Sequence, residues 1–508
     1  MSKFVIIVLC LLCLGAYANS LNSGFIFDDK ALIVNNPSIK SQRLPIEIFK
    51  KDIFEHWVGK PSFGLMYRPV QVLSYWLDYK IWGLNTIGFH LTNLILHLLN
   101  GILIYLILLR LFSDPKLSAI VSFIFIVHPL HVPVVSYISG RADLLCLLFI
   151  LLSIFFFLKE IYALSLLAAV FALFSRENAL LLFLMIILVI GFKKGKKNYA
   201  LFLPFIFIDL LYLTLRLFIF GFSGLASYSQ GMALSLRLIN CANIVINYIS
   251  LLLFPFNLHF FRLTPFITNF FGVKSILIIL LSSLMIFFAW RSKKNKIILC
   301  GYFWFLAGLI PAFFLMDGFL KFSQAVMAES WIYPASVGFF LIVTFLLLKI
   351  KKIGLVMCSV LIIYFGILTV YNNYLWKDDI TFDKNTLKYL PKDTPLRRIL
   401  IDDYLDVGFY NEALKEINEL SSYYGNDSLL VTIEMGNYYF FTKNPQKAIE
   451  CYNNILVKSF LISYREAVCF KMLGRIDEAR IFGRASFNLN PYYDPAKKLL
   501  KELNVNAS

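Results

Sequence analysis

Residues 87–112, IGFHLTNLILHLLNGILIYLILLRLF, decide the fold of this chain. The run is long enough to cross a bilayer, which takes about 20 predominantly apolar residues in a helix. With the apolar N-terminal segment, it belongs to a set of twelve candidate membrane helices, the others being 117–136, 142–158, 161–175, 178–192, 199–220, 237–257, 274–290, 297–316, 331–350 and 353–371. The sequence therefore predicts an all-α, polytopic membrane helical bundle.

The composition agrees with this prediction. Hydrophobic residues make up 59% of the 508 residues, charged residues make up 16%, and the mean hydropathy is +0.72, whereas soluble domains carry roughly a quarter charged residues. The formal net charge is +17, and residues 372–508 balance 18 Lys and Arg against 18 Asp and Glu, so the excess lies in the apolar part. Such an excess is typical of basic membrane loops and phosphate sites. It is not typical of a soluble nucleic-acid-binding face, so nucleic acid is excluded as a partner.

The N-terminal segment MSKFVIIVLCLLCLGAYANS has two interpretations. Its basic start, short apolar run and Ala16-Tyr17-Ala18 are typical of a cleaved signal peptide. We favour a retained first helix, because acidic residues and further apolar runs follow. Cys10 and Cys13 are then packing residues, and none of the eight cysteines has a nearby histidine at metal-ligand spacing.

Clusters of basic residues indicate the orientation, because cytoplasmic loops carry an excess of Lys and Arg. Three clusters lie at 193–197, 291–296 and 349–352, and we expect all three in the cytoplasm. Two loops on one side are separated by an even number of crossings, yet three apolar runs lie between the first two clusters. We expect the run 237–257 not to cross, because Asn240, Asn243 and Asn247 would place amides in hydrocarbon. Eleven spans result, with the N-terminus in the cytoplasm and the loops 22–86, 128–141, 175–177, 221–236, 258–273 and 317–330, together with the tail, on the outer side.

The tail has a different character. Ala413, Ala448 and Ala479 recur in matching helical contexts at intervals of 35 and 31 residues, close to the 34-residue tetratricopeptide period. About three repeats are just enough to bury a core. We therefore divide the chain into a membrane domain at 1–371, a linker at 372–394 and a tetratricopeptide-repeat domain at 395–508, whose balanced charge suits a protein partner.

The first outer loop begins with FIFDDKALIVNNP, which places Asp28 and Asp29 near the end of the first helix. Adjacent carboxylates at an apolar boundary tend to have raised pKa values, because burial and a like charge both disfavour ionisation. Such a pair can supply a general base and a residue that orients it. A solvated acidic turn or a helix N-cap is the alternative interpretation.

Cations are expected at several outer helix ends. They are Arg68, Arg141, Arg176 and Arg216. Several cations at one face of a membrane suit an anionic lipid phosphate. Arg141 with Asp143, and Arg176 with Glu177, are alternatively structural ion pairs, because intramembrane charges tend to pair with one another.

Other polar residues of the same region are further candidates for the site. They are His90, His97, His128, His131, Asp143, Glu177 and Glu329. His90 and His97 share a helical face with Asn93 and Asn100, and such a stripe either faces a site or forms hydrogen bonds between helices. His128 and His131 are weak evidence for a metal, since a third ligand is missing. We expect neither a metal nor a cofactor.

Six segments together resemble one family. They are FDDKALIVNNP, YRPVQVLSYWLDYKIWGLNTIGFHLTNLILHLLN, HPLHVPVVSYISGRADLL, SRENAL, LLFPFNLHF and AESWIYPASVGF, in this order and followed by the repeats. Over nearly the whole chain, this arrangement resembles the transmembrane and tetratricopeptide repeat-containing O-mannosyltransferases of the GT-C superfamily. The resemblance implies a membrane glycosyltransferase that moves a sugar, mannose in characterised relatives, from a polyprenyl or dolichyl phosphate to protein hydroxyls outside the cytoplasm. It also implies that Asp28 is the base and Asp29 its orienting partner.

The chain departs from the family pattern in two places. Ser330 follows Glu329 where the family usually has Arg, and Arg176 stands where Lys is common. The repeat array is short, which indicates a prokaryotic member with its site on the periplasmic side of the inner membrane; in a eukaryote the site would face the lumen of the endoplasmic reticulum.

Two other functions stay open at this point. One is a GT-C enzyme whose acceptor is a lipid or a polysaccharide, which would have the same donor site. The other is a membrane-anchored scaffold or transporter whose repeats recruit a partner, in which Asp28 would be dispensable.

Overall fold

The computed structural model describes residues 2–43, 46–49, 53, 66–192, 198–220, 233–318, 324–426, 428–491 and 493–504. The chain divides into two compact units, Met1–Asp378 and Asp379–Ser508. Both are helical, and the strands of the described part form one two-stranded sheet. The prediction of an all-α, polytopic membrane protein is confirmed.

The helices of the first unit follow the apolar runs of the sequence. They are α1 Ser2–Tyr17, α2 Pro37–Lys40, α3 Pro69–Trp82, α4 Thr86–Phe112, α5 Pro115–Val127, α6 Val132–Val135, α7 Arg141–Leu158, α8 Tyr162–Ser175, α9 Leu182–Phe192, α10 Leu203–Phe220, α11 Leu234–Leu253, α12 Val273–Arg291, α13 Lys296–Gly318, α14 Tyr333–Leu348 and α15 Lys351–Tyr374. Strands β1 Phe261–Pro265 and β2 Gln324–Ala328 pair antiparallel. Short 3-10 turns at Ile138–Gly140, Glu177–Leu181 and Glu329–Ile332 lead into α7, α9 and α14.

The described residues contain eight helices that are long and apolar enough to cross a membrane, or nine if the bent pair Pro115–Val127 and Pro129–Val135 is one span. The expectation of eleven spans stays a prediction. The run 117–136 is not one straight helix, because it bends by 56° beside His128. Pro129 explains the break, since the residue before a proline is pushed out of the helical region. His128 accordingly has extended dihedral angles, φ −75° and ψ 127°.

Helices α13 and α14 approach each other backbone to backbone. A Cβ on Gly338 would lie 2.3 Å from the carbonyl oxygen of Gly301, and a Cβ on Gly308 would lie 2.6 Å from the Cα of Ala335. Small residues permit such close packing between membrane helices. The contact fixes the direction of α14, which begins directly after β2 and a 3-10 turn.

The polar stripe of α4 faces the interior of the bundle. His90, Asn93, His97 and Asn100 are all at most 2% exposed. Each side chain is hydrogen-bonded to a backbone carbonyl of another segment, namely those of Ser23, Val135, Ile126 and Leu144 in the same order. Because a polar group buried in apolar surroundings must be hydrogen-bonded, the stripe ties α4 to its neighbours.

Helix α11 is hydrogen-bonded to three other segments of the described chain. Asn240 accepts a hydrogen bond from the backbone N–H of Ile267 at 2.9 Å, shortly before α12 begins. Tyr248 donates to the carbonyl oxygen of Ala328 at 2.9 Å, directly before α14. The carbonyl oxygen of Leu252 lies 3.1 Å from His128, at the C-terminal end of α5. The starts of α12 and α14 lie opposite the basic clusters that end these helices, so the contacts of Asn240 and Tyr248 are remote from the basic residues. Helix α11 is itself one of the eight apolar helices of spanning length, and the expectation that it does not cross stays a prediction.

The second unit is a row of helical hairpins. Its helices are α16 Asp379–Leu387, α17 Thr394–Asp406, α18 Tyr410–Tyr424, α19 Leu429–Phe441, α20 Pro445–Asn453, α21 Phe460–Met472, α22 Ile476–Leu489 and α23 Asp494–Glu502. Ala413, Ala448 and Ala479 lie on the second helix of successive hairpins and are fully buried. Leu387 joins the apolar core of this unit, so part of the segment we expected to be a linker is α16, which packs with the repeats.

The turn inside each hairpin contains a residue in the left-handed region. These residues are Gly408 at φ 82°, Lys443 at φ 58° and Gly474 at φ 75°. Glycine adopts this conformation without a steric penalty, whereas a residue with a Cβ is strained there. The middle hairpin therefore uses a lysine where its neighbours use glycine.

The position of α11 predicts which side of the membrane its two ends reach. In a chain without native cysteines, a single cysteine at Ser235 and one at Phe256 should react with an impermeant maleimide from the same side. A cysteine at Lys294, inside a basic cluster, should react from the opposite side. Labelling of positions 235 and 256 from different sides would show that α11 crosses the membrane.

The strained turn predicts a stabilising substitution. Lys443→Gly should raise the free energy of unfolding of the second unit by about 0.5–1 kcal/mol, because glycine relieves the left-handed strain. Lys447→Gly, in the exposed first turn of α20, should instead lower it by about 1 kcal/mol. Thermal unfolding of both full-length variants measures the two shifts, and shifts of the same sign would contradict this account of the turn.

Candidate active site

Asp29 is fully buried and holds the loop after α1 in place. One carboxylate oxygen accepts the backbone N–H of Ile26 at 3.2 Å. The other accepts the N–H of Ser139 at 2.8 Å and also the Ser139 hydroxyl. Just before the carboxylates, Phe27 has a positive φ of 49°, which reverses the chain. The loop is thus fastened to the turn Ile138–Gly140 through Asp29. The expected role of Asp29 in orienting Asp28 stays a prediction.

Asp28 is partly buried and Asp29 is fully buried, so Asp28 is the more exposed residue of the pair. Burial raises its pKa, while the Tyr137 side chain and the positive charge of Arg68 lower it. Burial also raises the pKa of Asp29 to about 7, although Ser139 and the Ile26 N–H oppose this shift. A carboxylate with a raised pKa that remains accessible is suited to accept a proton near neutral pH.

Two of the predicted cations converge on Glu177. Arg68 Nη2 lies 3.5 Å from one oxygen of this carboxylate, and Arg216 Nη1 lies 3.3 Å from the other. Burial raises the pKa of Glu177, but Arg68 and Arg216 more than offset it, so the pKa is lowered overall. Arg68 also acts electrostatically on Asp28. The cations and the candidate base therefore belong to one site.

The alternative interpretation, in which sequence neighbours form the ion pairs, is wrong. Arg176 pairs with Asp143 rather than with Glu177, and Arg141 pairs with Asp78 of α3 at 2.6 Å rather than with Asp143. Residues one or two apart on a helix point in different directions, so sequence neighbours are poor partners. The partners come from other helices instead.

Arg141 differs from the other three arginines in its surroundings. Its side chain is fully buried, whereas those of Arg68, Arg176 and Arg216 are 10–17% exposed. Its guanidinium donates to Asn93 Oδ1 at 2.7 Å and to the carbonyl oxygen of Phe89 at 2.8 Å. The structure thus brings Arg68, Arg176 and Arg216 to an accessible site and leaves Arg141 beneath it.

The histidines are used in packing and hydrogen bonding. His97 lies 2.8 Å from the Tyr333 hydroxyl, and His131 lies 2.8 Å from the carbonyl oxygen of Phe125. The second nitrogen of each also has a partner. Among the residues that the structure describes, no group of three or more His, Cys, Asp or Glu side chains is arranged to hold a metal ion. The expectation that no metal or cofactor takes part stays a prediction.

Glu329 has a cation that the sequence did not reveal. Arg262 Nη2 lies 3.2 Å from Glu329 Oε1, and the same oxygen accepts the backbone N–H of His259 at 3.0 Å. Arg262 is the only Lys, Arg, Asp or Glu between Leu253 and Gly272. A single charged residue in so apolar a segment is a sign of a functional or paired cation. The pairing of β1 with β2 shows that its partner is Glu329.

Four aromatic rings, in contact with one another, include Tyr137, which interacts with Asp28. Tyr137 contacts Trp376 with 5.3 Å between ring centroids, Phe260 contacts Trp376 at 5.7 Å, and Phe27 contacts Phe260 at 5.4 Å. Tyr137 also acts directly on the Asp28 carboxylate. Aromatic side chains around a few convergent polar groups are typical of small-molecule sites. Tyr137 and Ser139 were missed by the sequence analysis, because neither side chain is charged, although Arg141 follows two residues after Ser139.

The raised pKa of Asp29 predicts a pH dependence of stability. A carboxyl whose pKa rises from about 4 when unfolded to about 7 when folded stabilises the fold most at low pH, and this contribution is lost as the pH rises through 7. Asp29→Asn should flatten the decline, because the amide does not titrate. It should also cost about 1–3 kcal/mol at low pH, because the hydroxyl of the protonated carboxyl can still accept a hydrogen bond, whereas the amide nitrogen of asparagine only donates.

Thermal unfolding of the purified chain across this pH range measures both effects. Asp114→Asn is the matched control, because Asp114 caps α5 by accepting two backbone N–H groups, which asparagine also does. If the stability of Asp29→Asn declined between about pH 4 and 7 as steeply as that of the wild type, titration of Asp29 would not be the cause of the decline.

Known proteins match part of the chain. Protein O-mannosyl-transferase F38B6.6 of Caenorhabditis elegans is 30% identical over 181 residues, which are 35% of this chain and 26% of that protein. Human protein O-mannosyl-transferase TMTC3 is 35% identical over 137 residues, 27% of this chain and 15% of its own length. Mouse protein O-mannosyl-transferase TMTC1 is 38% identical over 138 residues, with shares of 27% and 15%.

The matches thus span about a quarter or less of the length of these curated relatives. No family model matches the chain. No solved structure matches it either. Over the matched stretch, this polytopic membrane protein is similar to curated protein O-mannosyl-transferases.

Proposed function

We propose that this chain is an inverting glycosyltransferase that moves a sugar, mannose by analogy with the names of its relatives, from a polyprenyl or dolichyl phosphate to Ser or Thr hydroxyls of proteins. The observation that carries the proposal is the position of Asp28, an accessible carboxylate with a raised pKa, within electrostatic reach of Arg68. A base and phosphate-binding cations in one site are what such a transfer requires.

The acceptor step uses Asp28 as the base. The acceptor oxygen attacks the anomeric carbon, its proton passes to the Asp28 carboxylate, and the bond from the anomeric carbon to the phosphate oxygen breaks on the opposite face. Asp29 does not contact the substrate in this scheme. It orients the loop through its hydrogen bonds to Ser139 and Ile26, and the loop in turn positions Asp28.

The leaving group departs as a lipid phosphate, and the exposed arginines stabilise its charge. Arg68 and Arg216 are both held by Glu177, and Arg176 is held by Asp143. Each guanidinium has five N–H donors, so a carboxylate partner fixes its position and leaves other donors for a phosphate. Arg141 supports the site from beneath through Asp78, because its own donors are directed to protein acceptors.

The proposed side of the reaction is outside the cytoplasm. Helix α15 begins at the basic residues 351–352 and leads away from them toward Asp379, so the positive-inside rule assigns the site and the repeats to the outer side. We expect a periplasmic location in a prokaryote and a lumenal one in the endoplasmic reticulum. The repeats would then bind the acceptor protein or another protein partner.

The purified chain tests the proposal directly. Incubation with polyprenyl-phosphate mannose and an acceptor protein rich in Ser and Thr should release polyprenyl phosphate and add a hexose mass to the acceptor. If the hexose were found on a lipid or a polysaccharide instead, the chain would be a glycosyltransferase with a non-protein acceptor. No consumption of any lipid-linked sugar would favour the scaffold.

The base assignment predicts the effect of one substitution. Asp28→Asn should lower the rate of transfer by on the order of 100-fold to 10,000-fold, because the amide keeps the shape but cannot accept the proton. Donor binding and thermal stability should change little. Asp114→Asn, at the start of α5, should transfer at the wild-type rate. Wild-type turnover by Asp28→Asn on a donor that it binds would contradict the mechanism.

A further inference from the structure

The guanidinium of Arg262 is only partly satisfied by the protein. Its Nη2 donates to Glu329 Oε1 at 3.2 Å and to the carbonyl oxygen of Asn257 at 2.9 Å. Its Nε is buried and has no acceptor among the residues that the structure describes. A buried N–H without an acceptor is uncommon in native structures, and an ion, a water or a ligand often supplies the missing acceptor.

Pairing of the strands holds Arg262 in this position. Arg262 on β1 is opposite Met327 on β2, and Glu329 follows two residues later along the chain. Residues two apart on a strand lie on the same face, and diagonal neighbours across an antiparallel pair are within reach of long side chains. Glu329 is almost fully buried, while 23% of the Arg262 side chain stays exposed. The cation is therefore held by a buried carboxylate and remains partly accessible to a ligand.

Arg262 lies between the two parts of the proposed active site. Phe260, two residues before it, contacts Phe27 beside Asp28 with 5.4 Å between ring centroids. On the other side, Arg262 and Arg176 both act electrostatically on the hydroxyl of Tyr248. Arg262 is therefore close to the carboxylate end of the site and to the cation end.

Arg68 shows the same incomplete satisfaction. It is held by Glu177, and its Nε is also buried without an acceptor in the described part of the chain. Two arginines of one site are thus each anchored by a carboxylate and each have an unused donor. An anion with several acceptor oxygens could satisfy both.

We propose that Arg262 is a further phosphate-binding residue, which contacts the phosphate of the lipid-linked donor together with Arg68. The inference rests on the proposed function for the identity of the ligand, a lipid phosphate monoester or its sugar diester. Glu329 is then a positioning residue, which holds the guanidinium of Arg262 in place and does not touch the donor.

Binding of two lipids that differ only in the phosphate tests the proposal. The purified full-length chain is titrated with polyprenyl phosphate and with the corresponding polyprenol. Arg262→Gln should weaken binding of the phosphate by about 10-fold to 100-fold, the usual effect of losing a charge-assisted hydrogen bond, and should leave polyprenol binding unchanged. Arg262→Lys should fall between, because lysine keeps the charge and loses the planar fork. Arg291→Gln, an exposed arginine in a basic cluster, is the matched control.

A double variant separates phosphate binding from folding. Arg262→Gln alone leaves the buried Glu329 without a cation, so Arg262→Gln with Glu329→Gln removes both charges together. The double variant should unfold at the wild-type temperature and still bind polyprenyl phosphate weakly. Wild-type affinity of the double variant, or an equal loss for polyprenol, would overturn the proposal.

The test also distinguishes this inference from the proposed function. If the wild type bound polyprenyl phosphate through Arg262 and transferred no sugar, the site would stand and the proposed reaction would fail. If the wild type did not prefer the phosphate to the alcohol, both would fail.

Discussion

The rest of the site depends on the buried ion pair between Arg141 and Asp78. This pair lies in an apolar interior, where an unpaired charge costs far more than it does in water. The Arg141 guanidinium also binds Asn93 and stacks on Tyr75, with 4.8 Å to the ring centroid. Helices α3, α4 and α7 are therefore held by one cation. Removing either charge of such a buried pair typically costs about 3–5 kcal/mol.

The turn Ile138–Gly140 connects the helix that carries Asp78 to the loop that carries Asp28 and Asp29. The Tyr75 hydroxyl donates to the Ile138 carbonyl at 3.1 Å, and the Gln71 amide donates to the Ser139 carbonyl at 3.1 Å. A Cβ on Gly140 would lie 2.6 Å from the carbonyl oxygen of Pro133, so only glycine fits there. The N–H of Ser139 is thereby presented to Asp29. The loop that carries Asp28 is held by this turn through Asp29, and it has no direct contact with the ion pair in the hydrogen bonds described above.

The remaining charges follow a common pattern, in which each accessible arginine is held by a carboxylate from another segment. Glu177 holds Arg68 and Arg216, Asp143 holds Arg176, and Glu329 holds Arg262. Glu177 is shared by two of the four arginines, so these cations are not each matched by a carboxylate of their own. Guanidinium groups that are held in place in this way are preorganised for an anion.

The amino-acid sequence by itself determined the class of fold, the positions of most helices, the repeat period of the tail and the carboxylate pair Asp28 and Asp29. These features follow from local properties: the length of apolar runs, helical periodicity and composition. Only the tertiary structure decided which charges meet. Asp143 pairs with Arg176 from another helix, and Arg262 reaches Glu329 across 67 residues of chain. Local spacing has no access to such contacts, because they depend on how helices and strands pack in space, and the direction of each side chain is set by that packing.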